Sequence, residues 1–232
     1  MIDKILHYIC VFLALIVVLP AHEFAHAFAA VKSGDYTPKH YKRYTLNPLM
    51  HFDPYGLALF VFAGFGWAKP VPVNPFNFKN RKWCSVWVAS AGVTANYLIS
   101  FIALPLYFLS QYIPKFGYFT IVIQQTLLYI YSFGLTFFVF NLLPLYPLDG
   151  FRIIDAFTKR TNAVYRVLRN YGTFILYGLI LLSLIADFTG FYYIDVLGYI
   201  MDFLRYYVSY PILRFWGMIF GGWIWIYCWL FN

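Results

Sequence analysis

The sequence predicts an all-α polytopic membrane protein with about five transmembrane helices, within a range of four to six, and a short re-entrant or β-hairpin segment near the functional site. The 232 residues are 62% hydrophobic and only 11% charged, whereas an ordinary soluble domain is about one-quarter charged. Several uncharged runs approach or exceed the roughly 20 residues that span a bilayer. The aromatic content of 24% also suits a membrane protein with aromatic belts at its interfaces.

The first predicted helix covers residues 4–31 and carries two histidines beside the only glutamate of the chain. His22 and His26 are four residues apart, so a helix places them on one face, where two imidazoles can bind one Zn²⁺. Glu23 is adjacent and can act as a general base toward water. A chance match or a polar packing device is the alternative, but an ionisable cluster in an apolar helix favours a functional site.

Basic loops flank a short apolar piece, residues 57–67, which is too short to cross a bilayer. Since Lys and Arg collect in cytoplasmic loops, we expect both loops on the cytoplasmic side. The short piece would then enter and leave by that face, as a re-entrant hairpin or strand pair. His51 and Asp53, in the preceding loop, offer too few ligands for a closed second metal site. A hydrogen-bonded His51 on the surface or at the rim of the site is the favoured alternative.

The second predicted span covers residues 83–109 and carries small residues that let another helix approach closely. Asn96 is polar within this span, so we expect it to face protein rather than lipid. A hydrogen bond between helices and a role at the functional site are both consistent with its position.

The third predicted span covers residues 119–143 and ends in a proline-broken segment that carries Asp149 before Gly150. Basic residues follow at once, so this end is expected to be cytoplasmic. The first and third spans therefore bring His22, His26 and Asp149 to one membrane face. Three protein ligands with an open fourth position are typical of a catalytic zinc site. Without this convergence, a capping or turn role would be favoured for the aspartate.

A fourth span is predicted at residues 171–186, and beyond it the pattern is weaker. Residues 196–204 and 212–231 are apolar, but Arg205 and Arg214 interrupt them. We expect one more span there, preceded by an interfacial helix. The net charge of +8 fits positively charged cytoplasmic loops better than a nucleic-acid surface, so no nucleic-acid partner is expected.

Two motifs together resemble those of the site-2 protease family, in particular its minimal bacterial and archaeal members without PDZ or CBS domains. The motifs are His22-Glu23-Phe24-Ala25-His26 and Asn141-Leu142-Leu143-Pro144-Leu145-Tyr146-Pro147-Leu148-Asp149-Gly150. Residues 47–56 and 66–75 are also similar to family segments. The resemblance covers about residues 5–155 and implies that residues 1–155 form a catalytic membrane core. Residues 156–232 carry no matching motif, and we expect them to add C-terminal helices to the same membrane domain.

The resemblance also implies a role for individual residues. One Zn²⁺ per chain would be bound by His22, His26 and Asp149, and Glu23 would activate the attacking water. Asn141 would hold the substrate or stabilise the oxyanion. Asn96 would contribute to substrate binding, although this chain has Val where the family often has Pro in the motif before that asparagine.

The predicted function is hydrolysis of a peptide bond within or near the transmembrane segment of a membrane-protein substrate. The apolar runs and the basic loops predict a multi-pass protein of the cell membrane, surrounded by the lipid bilayer, with its active site towards the cytoplasm. No sensing domain is visible, so a regulatory membrane partner is one expected source of control, and the oligomeric state stays open. The rival is a non-proteolytic metal-binding membrane protein, chaperone-like or transporter-like, which has no need of Glu23 as a base. A scaffold without bound metal is a third alternative.

Overall fold

The structure, a computed structural model, describes residues 2–63, 66–114, 116–158 and 161–220. In chain order these residues form the α-helices α1 (Ile2–Lys32), α2 (Thr37–His40), α3 (Pro54–Ala63), α4 (Arg81–Ser110), α5 (Tyr118–Leu142), α6 (Asp149–Phe157), α7 (Ala163–Thr189) and α8 (Val196–Phe220). Short 3-10 helices lie at Pro48–Met50, Pro75–Asn77 and Tyr192–Ile194. The prediction of an all-α polytopic protein is confirmed.

Four of the described helices, α1, α4, α5 and α7, are long and apolar enough to cross a membrane. They correspond to the first four predicted spans, and their number lies at the lower end of the predicted range. Helix α7 begins eight residues before the predicted span, because Asn162 caps it. The side-chain oxygen of Asn162 accepts hydrogen bonds from the backbone N–H groups of Val164 at 2.8 Å and Tyr165 at 3.3 Å. Charged residues in its first turns lower the local hydropathy, so the apolar run in the sequence does not show where the helix begins.

Helix α8 differs from the two apolar pieces predicted at residues 196–204 and 212–231. The chain runs as one helix through Pro211, and the end of the second piece lies outside the described residues. Arg205 donates to Asp202 at 2.8 Å, so the charge that interrupts the apolar pattern has a partner one turn away. This local pairing lets a single helix continue where the sequence pattern suggested a break.

The centre of the molecule is built from α1, α4 and α5, and α8 packs onto it. Their shared apolar core contains Ala14, Val18, Ala103, Leu104, Phe108, Leu128, Ile130, Tyr131, Leu135, Ile212 and Leu213. Gly134 of α5 lies against Ser100 of α4, where an added Cβ would be 2.1 Å from the serine Oγ. A glycine and a serine therefore let these two helices approach closely.

Helix α3 occupies the short apolar segment that is predicted to enter and leave by one face. Phe52 and Ala68, on either side of it, form an isolated antiparallel bridge, so the two ends of the segment meet. The Phe60 ring of α3 packs edge-on against Phe133 of α5, with centroids 5.5 Å apart. Residues 57–63 of the segment are helical rather than part of a strand pair, and residues 66 and 67 are not helical. Asp53 caps α3 by accepting from two backbone N–H groups at 3.0 Å each.

Helix α6 begins at Asp149, directly after the proline-containing turn that follows α5. Gly150 packs on the end of α5, where an added Cβ would lie 2.2 Å from the Leu142 carbonyl oxygen. The apolar residues of the turn are buried with residues of α7 and α8, in a cluster of Leu143, Leu145, Leu148, Leu176, Ile180 and Leu197. Close packing on both sides fixes where the Asp149 carboxylate lies.

Candidate metal centre

Three side chains from α1 and α6 converge beside α4. The His22 Nε2 atom lies 3.0 Å from the His26 Nε2 atom. The Asp149 Oδ2 atom lies 3.4 Å from the first of these nitrogens and 3.1 Å from the second. All three side chains are buried, and among the described residues they form the one cluster of at least three potential metal ligands. Helical spacing places the two imidazoles together, and the turn after α5 delivers the carboxylate.

The triangle of ligand atoms fits one zinc ion. Ligands bound at about 2.0–2.1 Å with tetrahedral angles lie roughly 3.3–3.4 Å apart. The observed separations of 3.0 to 3.4 Å are close to this spacing. Two imidazoles and one carboxylate also leave a fourth position open, which is typical of a catalytic rather than a structural zinc site.

The Asp149 carboxylate divides its two oxygens between different neighbours. Oδ2 faces the imidazoles, and Oδ1 lies 3.6 Å from Arg152 Nη1 on the next turn of α6. Burial disfavours the ionised carboxyl, but His26 and His22 outweigh this effect and hold the pKa of Asp149 below its usual range. A carboxylate that stays ionised is the form that binds a metal.

Gly92 of α4 provides the space in which the two imidazoles lie. A Cβ added at this position would be 2.3 Å from His26 Nε2 and 2.7 Å from His22 Cε1. Any side chain here would occupy the volume of the rings. The glycine therefore allows α1 and α4 to approach closely at the candidate metal centre.

The outer nitrogens of both imidazoles contact groups of α4. His26 Nδ1 lies 2.7 Å from the Val88 carbonyl oxygen, so its N–H donates to that oxygen. His22 Nδ1 lies 3.0 Å from the side-chain amide of Asn96. Such contacts fix the tautomer and orientation of an imidazole that binds a metal.

The Glu23 carboxylate is held by a backbone group of the segment that follows α3. The Val71 N–H donates to Glu23 Oε2 at 2.8 Å. Pro70 and Pro72 flank this residue and have no N–H of their own. Val71 is therefore the only backbone donor in the tripeptide, and its position decides where the Glu23 carboxylate lies.

Arg43 holds the same segment from the other side. Its Nη2 donates to the carbonyl oxygens of Lys69 and Pro70, the latter at 3.1 Å. Arg43 is buried although it is charged, and a guanidinium suits this role because its donors form a rigid, planar fork. The contact links the loop after α2 to the backbone that binds Glu23.

Asp35 fastens the far end of this segment to the end of α1. Its side chain is fully buried and accepts hydrogen bonds from the Asn74 N–H at 2.7 Å, from Asn77 Nδ2 at 2.8 Å and from Thr37. Burial disfavours the charged form, but these hydrogen bonds outweigh it and lower the pKa of Asp35. Residues 69–77 are thus tied down at both ends.

A cavity of about 570 Å³ opens onto the three ligand atoms and Glu23. Phe60 of α3 and Trp67 line one side, and Phe137 of α5 lines another. Asn141 and Arg205 are polar residues of the same lining. The candidate metal centre therefore lies on the wall of a largely apolar space, which is typical of a ligand-binding site.

Comparison with known proteins identifies the family of this fold and site. The model of peptidase family M50 matches residues 10–184. The chain belongs to peptidase family M50. A Bacillus subtilis (strain 168) protein named "Putative zinc metalloprotease YwhC" is 43% identical over 148 residues, which cover 62% of this chain and 66% of that protein. No solved structure matches the chain.

The family assignment confirms the resemblance to site-2 proteases that the two motifs indicate. The M50 match also extends past residue 155, where the predicted catalytic core ends, into α7. The fourth span therefore belongs to the region that this chain shares with the family.

The residues predicted from the motifs all lie at this M50 site, in different positions. Glu23 lies beside the ligands, and Asn141 lines the cavity while its amide donates to the Phe137 carbonyl oxygen at 2.9 Å. Asn96 is fully buried and contacts the outer nitrogen of His22. The catalytic roles of Glu23 and Asn141 and the substrate-binding role of Asn96 stay predictions.

His51 and Asp53 do not join a metal cluster among the described residues. His51 is fully buried, and its Nε2 lies 2.7 Å from the Thr45 carbonyl oxygen. Asp53 caps α3. Both side chains therefore stabilise the loop before α3. This agrees with the hydrogen-bonded alternative for His51, although His51 is buried more deeply than a residue on the surface would be.

Four residues of the site have no assigned role in the sequence-based prediction. Arg43 and Arg152 look like any other basic residues of the chain. Arg43 contacts backbone that is distant in the sequence, and Arg152 contacts the site from the next turn of α6. Gly92 is one of several small residues on α4. Val71 carries a detectable signal, since a single residue between two prolines is the only N–H donor of its tripeptide.

Proposed function

We propose that the chain is an intramembrane zinc metalloprotease that cleaves a peptide bond within or near the transmembrane segment of a membrane-protein substrate. The observation that carries the proposal is the Glu23 carboxylate in the same cavity as the His22, His26 and Asp149 ligand atoms. A metal carrier needs ligands, but it has no use for an additional base next to them. The name of the Bacillus subtilis relative supports the same class of activity.

Each residue has a distinct task in this mechanism. A bound Zn²⁺ supplies Lewis acidity that polarises a carbonyl group and makes water more acidic. Glu23 takes a proton from the attacking water and later gives it to the leaving amine. Val71 N–H fixes one oxygen of Glu23, so the carboxylate is oriented before the reaction begins. Asn141 uses one amide hydrogen on the Phe137 carbonyl, and its second hydrogen is available to the developing oxyanion.

The proposed substrate is a transmembrane helix that unwinds locally. A helix satisfies its own backbone hydrogen bonds, so a bond inside it becomes accessible only in an extended conformation. Trp67, Ala68, Pro70 and Val71 line the cavity in non-helical conformation. An extended substrate segment can lie beside this backbone in the manner of an added strand.

The remaining parts of the proposal concern the setting of the reaction. The basic loops favour a cell-membrane protein with its active site towards the cytoplasm. Substrate cleavage in regulated intramembrane proteolysis, under control of a membrane partner, is the proposed biological role. We propose that the lipid bilayer surrounds the protein and that no nucleic acid takes part in its function.

The test compares wild type, Glu23→Gln and the matched control Asp187→Asn, an exposed carboxylate near the end of α7. The proteins are purified in detergent and incubated with a panel of single-span membrane peptides, with and without a zinc chelator, and the zinc content of each is measured. We expect cleavage by wild type and the control, and none by Glu23→Gln or the chelated samples, while Glu23→Gln retains its zinc. Cleavage by a zinc-loaded Glu23→Gln protein at the wild-type rate would contradict the mechanism. Zinc binding without cleavage of any peptide would favour the non-proteolytic metal-binding alternative.

A further inference from the structure

Among the described residues, Asn96 is the one side chain that contacts an outer imidazole nitrogen of the metal centre. It is fully buried on α4, and its amide lies 3.0 Å from His22 Nδ1. The Asn96 Oδ1 atom is buried in the structure and has no hydrogen-bond partner there. A buried amide oxygen without a donor is unfavourable by about 1–3 kcal/mol, and the oxygen and nitrogen of a side-chain amide exchange places on a half-turn, so both orientations of this amide have to be compared.

The two orientations of the Asn96 amide select different tautomers of His22. If Nδ2–H donates to His22 Nδ1, the imidazole proton lies on Nε2, and that nitrogen has no lone pair for a metal. A half-turn of the amide brings Oδ1 to Nδ1 instead. The proton then lies on Nδ1, the Nε2 lone pair faces His26 and Asp149, and the buried oxygen gains its donor.

His26 shows the second arrangement already. Its Nδ1 donates to the Val88 carbonyl oxygen at 2.7 Å, and Nε2 is the nitrogen that faces the other two ligand atoms. Two ligands on consecutive turns of α1 need the same tautomer, and both receive their partner from α4. For His26 the partner is backbone, whereas for His22 it is a side chain that can be changed.

We infer that Asn96 is a positioning residue for zinc: its side-chain oxygen accepts the His22 Nδ1–H, which turns the Nε2 lone pair towards the metal. The inference rests on the zinc site of the proposed function and differs from the substrate-binding role predicted for Asn96. Contacts of this kind behind a ligand typically change metal affinity by about 10- to 100-fold.

The test measures zinc affinity of the purified full chain by competition with a chromophoric chelator. Asn96→Leu removes the acceptor at similar size, and Asn96→Asp keeps an acceptor. Ser100→Ala is the matched control, because Ser100 is equally buried one turn further along α4 and bonds to backbone oxygens instead of His22. We expect zinc binding to weaken by about 10- to 100-fold in Asn96→Leu, and to stay within a few-fold of wild type in Asn96→Asp and Ser100→Ala.

Two results would overturn the inference. The first is a zinc affinity of Asn96→Leu equal to that of wild type. If the KM of this variant for peptide were raised as well, Asn96 would be a substrate-binding residue instead. The second is a loss of zinc affinity of tenfold or more in Asn96→Asp. This variant decides the question by itself if Asn96→Leu does not fold. A wild-type protein that binds zinc but cleaves nothing contradicts the proposed protease function and leaves the inference standing.

Discussion

Substitution of Gly92 by alanine tests whether α1 and α4 meet as closely as the candidate metal centre requires. The added Cβ would lie 2.3 Å from His26 Nε2, 2.6 Å from His26 Cε1 and 2.7 Å from His22 Cε1. Favourable contacts between heavy atoms lie at about 3.5–4.0 Å, so the methyl group overlaps both rings by roughly 1 Å. Something at the site must therefore move.

The rings cannot retreat without losing their partners. His26 is bonded to the Val88 carbonyl oxygen and His22 contacts the Asn96 amide, and both partners lie on α4 itself. Moving the rings away from α4 stretches these hydrogen bonds and displaces both ligand nitrogens. Overpacking of this kind typically costs about 1–3 kcal/mol, and each 1.4 kcal/mol or so is tenfold in affinity.

We therefore expect Gly92→Ala to weaken zinc binding by about tenfold to a hundredfold, measured by chelator competition on protein purified in detergent. The matched control is Gly178→Ala on α7, where an added Cβ would meet nothing within 4 Å, and its zinc affinity should equal that of wild type. A thermal unfolding curve for each variant separates local displacement from loss of fold. Wild-type zinc affinity in Gly92→Ala would refute the close approach of the rings to α4.

Two further predictions concern the segment that holds Glu23. Arg43→Met removes the guanidinium that binds the Lys69 and Pro70 carbonyl oxygens. A hydrogen bond to a charged group contributes about 1.5–3 kcal/mol, so kcat for peptide cleavage should fall by roughly tenfold or more, with zinc affinity unchanged. Lys42→Met changes an exposed neighbour and should leave kcat intact; equal kcat in both variants would contradict the prediction. The folded pKa of Asp35 is lowered, so its contribution to stability is present above the unfolded value of about 3.9 and is lost as the pH falls through the lower folded pKa. The melting temperature should decrease in that window, and Asp35→Asn should show a smaller decrease there; identical pH profiles would show that Asp35 does not stabilise the fold.

The sequence by itself determined the features that depend on neighbours along the chain. The four long apolar helices follow from runs of residues that avoid water, and the pairing of His22 with His26 follows from the helical period. The charge of the loops also indicated that the end of α5 returns to the same side as the two histidines. The ligand set was therefore predictable, and the structure brings His22, His26 and Asp149 within 3.4 Å of one another.

Only the tertiary structure decided what surrounds these ligands. Gly92 and Asn96 are two of several small or polar residues on α4, and the sequence does not say which face of that helix meets α1. Arg43 differs in no visible way from the exposed basic residues near it, yet it is buried against the backbone that binds Glu23. Helical period and hydropathy are local properties, whereas helix rotation and loop anchoring are set by contacts between residues far apart in the chain.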